Sequence, residues 1–492
     1  MSIFKRLLGD AVVYSLTPLL SSLVGFLLVP IYTRTFTPTD YGALALVNTT
    51  TTFVSILVVF GLDNSSAIWF WDQPEPEERR RTWSTWLAFT TVTSLIFAVA
   101  ALLLRNVLAR ALFDDERLSI LWVLFAVNIV AANVARIGIL WFRMKRTPWP
   151  AVMLGAVSSV TTAVFGIYFV VHLKLGLSGV IAGQIAGSWI GAIVALVALR
   201  GVLSPRRVDR PRLAPMLRLS APLVLMTHLS WIMGGAVSYF VNFLCSREDA
   251  GLYQVANSIA SIIGLVMFAF DQAWAPTALA IRDVPTARRV YGVTVEAAFT
   301  LGLLLAFGAT AFATPALLII THPEYVRAHW VLAILALNVV LGNVPSILSV
   351  TFAREKVTMP LAKATAVGAF LTVALLPVLA WKLGKEGAAL AVLAGTVTIL
   401  ALTWRASQTV FFIDVHLRRV GVATLLTAGW VVAFLVTRHL PASVPMMIGH
   451  SSLLFVTLTL ALAVLYRTPI AAAWQDARAA KSAGSDDSEE MR

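Results

Sequence analysis

The chain has 492 residues, of which 59% are hydrophobic and only 13% are charged. Soluble domains usually carry about 25% charged residues, so this composition predicts an all-α integral membrane protein. The apolar runs are roughly 20 residues long and do not alternate with a period of two, which excludes a β-barrel. The net charge of +13 would suggest nucleic-acid binding in a soluble protein. Here the basic residues lie mostly in short loops, so we expect no nucleic-acid partner. Cys245 is the only cysteine, so we expect no disulfide and no metal site.

Fourteen apolar segments are long enough to cross a membrane as helices. A short Lys-Leu-Gly turn at residues 174–176 separates the fifth from the sixth, and the same turn at 382–384 separates the eleventh from the twelfth. No stretch between the segments is long enough to build a soluble domain. In chain order the predicted spans lie near residues 11–33, 43–68, 84–104, 118–140, 150–172, 176–199, 219–244, 251–280, 290–313, 327–352, 359–381, 386–407, 418–437 and 446–466.

The loops indicate how these helices are oriented. Arginine-rich loops, such as those at 79–81, 143–146 and 200–218, alternate along the chain with loops that carry few basic residues. The basic loops are expected on the cytoplasmic side, and an even number of helices then places both termini there. We therefore expect a multi-pass protein of the bacterial cytoplasmic (inner) membrane with both termini in the cytoplasm.

The chain repeats itself at a spacing of about 209 residues. Asp40 and Gly42 match Asp249 and Gly251, and the Lys-Leu-Gly turn recurs at the same spacing. Each copy contains six predicted helices. Because six is an even number, both copies have the same orientation in the membrane. This arrangement predicts two six-helix bundles related by a pseudo-twofold axis, with the substrate route between them. The predicted divisions are an N-terminal bundle (1–200), a basic cytoplasmic linker (201–218), a second bundle (219–410), two additional helices (411–466) and a disordered cytoplasmic tail (467–492).

Two groups of motifs resemble those of Wzx-type polysaccharide flippases. The first reads LVPIYTR at residues 28–34 and TPTDYG at 37–42. The second reads LRLSAPL at 217–223, GLY at 251–253 and AP at 275–276. This family belongs to the multidrug, oligosaccharidyl-lipid and polysaccharide exporter superfamily. Its members have two six-helix bundles that rock around a central cavity.

The resemblance implies a transporter rather than an enzyme. Such a protein works by alternating access and flips undecaprenyl-diphosphate-linked oligosaccharide units to the periplasmic leaflet for exopolysaccharide or O-antigen synthesis. Its partners would be the polyprenyl-diphosphate-linked oligosaccharide, the bilayer, and a polysaccharide polymerase with its export machinery. The first predicted helix has no arginine, unlike that of the lipid II flippase, which argues against lipid II as the substrate.

No cofactor is implied, and coupling to a proton or sodium gradient stays open. Many relatives carry an Asp-Arg pair late in the seventh helix, where residues 236–239 here read AVSY, so any coupling role at that place is in doubt. The chain has no Gly-x-x-x-x-Gly-Lys-Ser/Thr run, so we expect no nucleotide site.

Arg136 is the leading candidate to bind the substrate diphosphate. It lies within the fourth predicted helix, where a charge costs roughly 2.5–3.5 kcal/mol on insertion scales and therefore needs water or a partner. Guanidinium groups suit phosphate oxygens; the alternative is a snorkelling or structural arginine. Arg34 could instead be an interfacial anchor, Lys363 could snorkel, and His228 could be a satisfied polar group. The remaining cavity candidates are polar residues within or at the end of predicted helices: Asn133, Asn128, Arg34, Asn48, Asn257, His228 and Lys363.

Asp63 and Asp271 are carboxylates at equivalent places in the two copies of the repeat. Each lies about 21 residues into its predicted helix, nearer the cytoplasmic end. Such a pair indicates a gate or a proton-sensitive contact, and the alternative is a helix cap or a structural salt bridge. If an ion gradient drives transport, these two residues and Glu296 are the candidates for coupling or gating.

Two other functions stay open. A multidrug or cation antiporter of the same superfamily would have a small cavity rich in carboxylates and poor in arginines. A membrane glycosyltransferase or polymerase would need a sizeable periplasmic loop with catalytic groups. The longest predicted outer loop, at 105–117, offers only Asp114, Asp115 and Glu116.

Overall fold

The computed structural model describes the backbone of residues 3–72, 75–145, 147–201, 204, 207–439 and 443–489, and most side chains between residues 16 and 466. Fifteen α-helices make up nearly all of this backbone, and the described residues contain no β-strand. In chain order the helices are α1 (Ile3–Thr35), α2 (Pro38–Val59), α3 (Leu62–Asp72), α4 (Pro76–Phe113), α5 (Ile120–Met144), α6 (Pro148–Ile167), α7 (Gly176–Leu199), α8 (Arg210–Gly234), α9 (Val237–Leu244), α10 (Arg247–Ala280), α11 (Val284–Ile320), α12 (His329–Arg354), α13 (Met359–Val410), α14 (Leu417–Thr437) and α15 (Val444–Glu489).

Twelve helices in the described part of the chain are long and apolar enough to cross a membrane. One of them, α13, contains Gly384 with non-helical dihedral angles (φ 65°, ψ −145°), so it consists of two helices joined at a kink. Residues Trp231–Leu244, at the end of α8 and in α9, add a shorter apolar helix. With these two additions the apolar helices number about fourteen, and the predicted all-α membrane fold is confirmed.

The acidic residues of the repeated motif, Asp40 and Asp249, lie in the first turns of equivalent helices, α2 and α10. At the start of α2, the Thr37 side chain accepts a hydrogen bond from the Asp40 backbone, and the Asp40 carboxylate accepts one from the Thr37 backbone. At the start of α10, the Asp249 backbone N–H donates to the Ser246 hydroxyl, which donates to the Asp249 carboxylate. Both motifs therefore supply N-terminal caps. The caps accept hydrogen bonds from backbone N–H groups that have no partner within the helix.

The glycines of the same motif allow α2 and α10 to cross at backbone contact. A Cβ atom added to Gly42 would collide with the carbonyl of Arg247, and one added to Gly251 would collide with the carbonyl of Pro38. Any larger residue at either position must therefore push the helices apart. The repeat thus preserves a cap and a close helix contact, which explains why these few positions are similar in both copies.

Other repeated glycines have equivalent structural roles. Gly176 and Gly384, at the ends of the two Lys-Leu-Gly turns, both have a positive φ, which glycine adopts without strain. Gly187 lies against the Thr162 hydroxyl, and Gly395 lies in the same way against the Thr372 hydroxyl. Each pair lets two consecutive helices pack closely.

The structure differs from the sequence prediction between residues 43 and 68, which we expected to form one helix. Phe60 and Gly61 both adopt the left-handed conformation (φ 49° and 65°), so α2 ends at Val59 and a new helix, α3, begins at Leu62. Gly61 packs against the backbone carbonyl of Ser220. The break places Asp63 in the first turn of α3, instead of deep in a continuous helix. Hydropathy averaged over the whole predicted span hides such a break, although the residues that follow it, 63–66, are polar.

Helices α4 and α15 are also longer than predicted. Helix α4 runs to Phe113, so most of the outer loop expected at 105–117 is helical. Helix α15 continues to Glu489 through residues that we expected to be a disordered tail. This segment contains several alanines, which have the highest helix propensity.

The described chain forms two compact units. The first comprises Met1–Val255 and Ala380–Ala388, and the second comprises Ala256–Leu379 and Ala389–Arg492. Helices α8 and α9 belong to the first unit, although the repeat assigns them to the second bundle. The Ser220 hydroxyl on α8 donates to the Ser65 hydroxyl on α3 (2.7 Å), and Asn242 on α9 donates to the carbonyl of Leu112 on α4 (3.1 Å). The bundle boundaries at 200, 218 and 410 stay a prediction.

Candidate substrate cavity

A cavity of about 660 Å³ lies within the first unit, among α1, α3, α5, α6 and α7. Its walls carry two guanidinium groups, one carboxylate and five hydroxyl groups, together with small and apolar side chains. A membrane protein exposes such polar groups together where they line water or bind a polar ligand. The lining residues are Thr17, Ser21, Asp63, Ala132, Ala135, Arg136, Ile139, Leu140, Arg143, Met144, Gly155, Ser158, Ser159 and Ser188.

Arg136 and Asp63 form an ion pair in this cavity. The Arg136 Nη2 atom lies 2.7 Å from Asp63 Oδ2, and the two side chains are 50% and 20% exposed. Asp63 lies in the first turn of α3, where the helix dipole favours a negative charge. The sequence analysis treated these residues as separate candidates, one for substrate binding and one for gating. The structure brings them together, and half of the arginine side chain stays accessible to a ligand.

Arg143 is a second cation in the cavity that the sequence analysis interpreted only as a loop charge. It follows Arg136 by seven residues on α5, which corresponds to about two helical turns and places both on the same side of the helix. This spacing was the signal that could have identified it. Two guanidinium groups on one wall can bind an anionic group.

The hydroxyl groups of the cavity were also missed by the sequence analysis. The Ser21 and Ser159 hydroxyls lie 2.9 Å apart, joining α1 to α6. The buried Ser158 hydroxyl has no hydrogen-bond partner within the described part of the chain. An unpaired buried hydroxyl costs free energy unless water or a ligand supplies the missing bond. The run of four hydroxyl residues at 158, 159, 161 and 162 in α6 was the available signal.

Two asparagines predicted for the cavity are buried elsewhere on α5. Asn133 is 2% exposed, and its amide donates to the carbonyl of Ile129 (2.8 Å) within the same helix. Asn128 is 5% exposed, and its side-chain oxygen has no hydrogen-bond partner among the described residues. Neither residue lines the cavity. Asn48 on α2 accepts a hydrogen bond from Gln184 on α7 (3.2 Å), so it links two helices of the first unit.

Asp271, the repeat equivalent of Asp63, lies on α10 in the second unit. Its carboxylate accepts a hydrogen bond from the Ser346 hydroxyl on α12 (2.7 Å). Nearby, the Trp274 indole donates to the carbonyl of Ile347 (3.1 Å), so α10 and α12 are joined at two successive points.

Glu296, the third coupling candidate, is fully buried on α11. Its Oε1 atom accepts the backbone N–H of His416, and its Oε2 atom lies 3.8 Å from the Arg419 guanidinium. These contacts attach the beginning of α14 to α11. Glu296 thus has a structural role in holding the first of the two additional helices.

Three further candidates, Arg34, Lys363 and Asn257, are not among the residues that line the cavity. Arg34 is exposed in the last turn of α1, and Lys363 is exposed near the start of α13. Asn257 is half-buried on α10. His228 lies on α8, but its side chain falls outside the described residues.

Comparisons with known proteins identify the family and the fold. A family model described as polysaccharide biosynthesis protein matches residues 7–282. No curated protein matches the chain. Among solved structures, the chain is similar to the lipid II flippase MurJ in an inward closed conformation, with a TM-score of 0.75 and 13% identity over 93% of this chain and 100% of that one.

Multidrug transporters share the fold as well. An inward-facing MATE transporter of the MOP superfamily gives a TM-score of 0.65 at 15% identity, over 84% of this chain and 99% of that one. A point mutant of the Vibrio cholerae MATE transporter VcmN gives 0.55 at 18% identity, over 82% of this chain and 96% of that one. The chain therefore has the fold of these proteins, and by the match over more than half its length it belongs to the polysaccharide biosynthesis protein family.

Proposed function

We propose that the chain is a transporter that flips polyprenyl-diphosphate-linked oligosaccharide units from the cytoplasmic to the periplasmic leaflet. The observation that carries this proposal is Arg136, a cation on a membrane-crossing helix that faces a cavity with a second arginine and five hydroxyls. The guanidinium groups suit a diphosphate, and the hydroxyls suit a sugar. The family, which is named for polysaccharide biosynthesis, supports the same substrate class.

The ion pair suggests how the cavity would exchange ligands. In the empty state Asp63 neutralises Arg136, which lowers the cost of holding the arginine within the membrane. A diphosphate carries more negative charge than one carboxylate, so in our proposal it replaces Asp63 as the partner of Arg136. The polyprenyl tail stays in lipid while the sugar occupies the hydroxyl-lined part of the cavity. Alternating access then exposes the head group on the other side of the membrane.

A multidrug or cation antiporter is the second candidate, because MATE transporters share the fold. The cavity favours the first candidate, since its described lining holds two guanidiniums and one carboxylate, and these charges suit an anionic rather than a cationic substrate. A glycosyltransferase or polymerase is disfavoured because α4 occupies most of the outer loop that would have carried its catalytic groups.

We also propose that any proton coupling depends on Asp271 rather than Glu296. Asp271 has a hydroxyl partner and no cation within ion-pair distance among the described residues. Glu296 instead holds the start of α14 through the His416 backbone. If transport into proteoliposomes responds equally to a pH gradient in the wild type and in Asp271→Asn, this assignment is wrong.

A deletion strain tests the proposed function. We expect the lipid-linked repeat unit to accumulate in the cytoplasmic leaflet, where an added membrane-impermeant glycosidase cannot reach it from the periplasm. Accumulation on the periplasmic leaflet would indicate a polymerase instead. Loss of drug resistance without any accumulation would indicate an antiporter. Membrane orientation is tested in the same strain by expressing the chain with a reporter fused to its C-terminus. We expect this terminus in the cytoplasm.

A further inference from the structure

The second unit contains another cavity, of about 380 Å³, that the proposed transport function does not use. It lies where α11 and α14 end and where α12 and α15 begin. The opposite ends of α12 and α14 carry Arg354 and the pair Arg418 and Arg419. The cavity is therefore at the membrane face that the arginine-rich loops of this unit do not occupy, so basic residues here are not explained by the positive-inside rule.

Arg438 is the principal charge of this cavity. Its guanidinium stacks over the Trp330 ring, 5.1 Å from the centroid, and its Nε–H donates to His439 Nε2 (3.3 Å). In the part of the chain that the structure describes, no carboxylate lies within ion-pair distance of it. The aromatic ring and the histidine thus hold a guanidinium in place, while its positive charge is not neutralised.

Of the three histidines around Arg438, only His439 adds a free hydrogen-bond donor when the rings are neutral. His439 accepts from Arg438 at Nε2, so its neutral ring carries a proton on Nδ1. His329 Nδ1 faces the carbonyl of Val326 (3.0 Å), and a carbonyl only accepts, so this nitrogen donates. The Thr437 hydroxyl already donates to the Ala433 carbonyl, so His450 Nε2, 2.8 Å away, is the donor to Thr437. The bonds assign a single tautomer to each ring when it is neutral.

These features restrict the ligand class. The cavity lining includes one arginine, three histidines and no carboxylate. The described residues contain no group of three metal-type side chains placed to hold a metal ion, so the histidines do not form a metal site. A cavity of this size, with one guanidinium and the His439 N–H among its polar groups and apolar side chains such as Met447 also in its lining, fits a small anion with an attached apolar chain.

We propose that this cavity binds a phosphate group, supplied either by the head group of a membrane lipid or by free phosphate. Arg438 makes the charged contact, and Nδ1 of His439 is a further donor. All of the residues involved belong to the second unit, and none lines the cavity that contains Arg136. The proposal therefore stands or fails independently of the transported substrate.

The test uses the full chain purified in dodecyl maltoside, a detergent without phosphate. Binding of radiolabelled inorganic phosphate is measured by equilibrium dialysis for the wild type, Arg438→Gln, Arg438→Lys and a control, Arg405→Gln. Arg405 is an exposed arginine on α13, so its substitution removes the same charge outside the cavity. We expect Arg438→Gln to bind at least tenfold more weakly, Arg438→Lys to bind at an intermediate level, and the control to bind as the wild type does.

Phosphatidic acid in mixed micelles distinguishes the two sources. If it displaces phosphate from the wild type, the site takes a lipid head group; if it does not, the site takes free phosphate, and both outcomes support a phosphate site. Equal phosphate binding by Arg438→Gln and the wild type would overturn the proposal, and so would the absence of binding to the wild type. Unchanged melting temperatures among the variants show that the folded proteins are being compared.

Discussion

The two copies of the repeat hold the same acidic residue with different partners. In the first copy Asp63 pairs with Arg136, and in the second Asp271 pairs with Ser346. The aspartates are 208 residues apart and their partners 210 residues apart, so both pairs occupy equivalent places on equivalent helices. The backbone differs too, because α3 begins anew just before Asp63 whereas α10 continues through Asp271. A shared scaffold thus carries an ion pair in one copy and a hydrogen bond from a hydroxyl to a carboxylate in the other.

The largest effect is expected from removing the cation of the first copy. Arg136→Ala removes the ion pair with Asp63 and the proposed contact with the diphosphate. A hydrogen bond to a charged group contributes about 1.5–3 kcal/mol, which corresponds to roughly a ten- to hundredfold loss. We expect at least a tenfold fall in flipping, measured by complementation of the deletion strain. Arg136→Lys, which keeps the charge, should retain more activity, and full activity of Arg136→Ala would refute the assignment.

Exchanging the two charges separates a structural role from a binding role. The double variant Asp63→Arg, Arg136→Asp can restore the ion pair but places the cation on α3. If Arg136 binds the substrate, the protein should melt near the wild-type temperature while flipping stays at least tenfold reduced. Recovery of flipping by the double variant, compared with each single variant, would show that the pair has only a structural role.

Moving the arginine to the second copy sharpens the comparison further. The double variant Arg136→Ser, Ser346→Arg gives each copy the partner of the other. We expect it to flip no better than Arg136→Ser alone, because the serines that line the cavity lie in the first unit. Complementation that rises above the single variant would mean that either copy can provide the cation.

The smallest effect is expected from Ser346→Ala. This change removes the hydrogen bond to Asp271 and should lower the free energy of unfolding by about 1 kcal/mol. Chemical denaturation in detergent would measure the change, and flipping should fall less than threefold. A loss of flipping as large as that of Arg136→Ala would mean that the second copy also contacts the substrate.

Hydropathy and repeat spacing were sufficient for the fold class, the number of apolar helices and the Gly176 and Gly384 turns. They failed at Phe60 and Gly61, since a mean hydropathy taken over the whole span does not show a left-handed break in the backbone. The importance of Arg136 followed from its cost within a membrane helix. Its partner did not, because pairing across 73 residues depends on how α3 and α5 pack.

Packing between helices also explains why the serines of the cavity were missed. Ser21, Ser158 and Ser159 are ordinary in sequence, since a serine in a membrane helix can donate to its own backbone. Their meaning comes from α1 and α6 lying side by side, which places the Ser21 and Ser159 hydroxyls 2.9 Å apart. Asn133 shows the reverse, because a polar residue near Arg136 in sequence is bonded within its own helix.

Where α2 and α10 cross, Gly42 packs against Arg247 at the start of α10. The same helix carries Gly251, which is the repeat equivalent of Gly42. In a symmetric pair of identical chains, one substitution at such a self-contact changes both sides at once. Here two separate codons encode the two sides, so a mutation adds a single Cβ atom and leaves the other side unaltered. The two sides of the contact can therefore diverge one at a time.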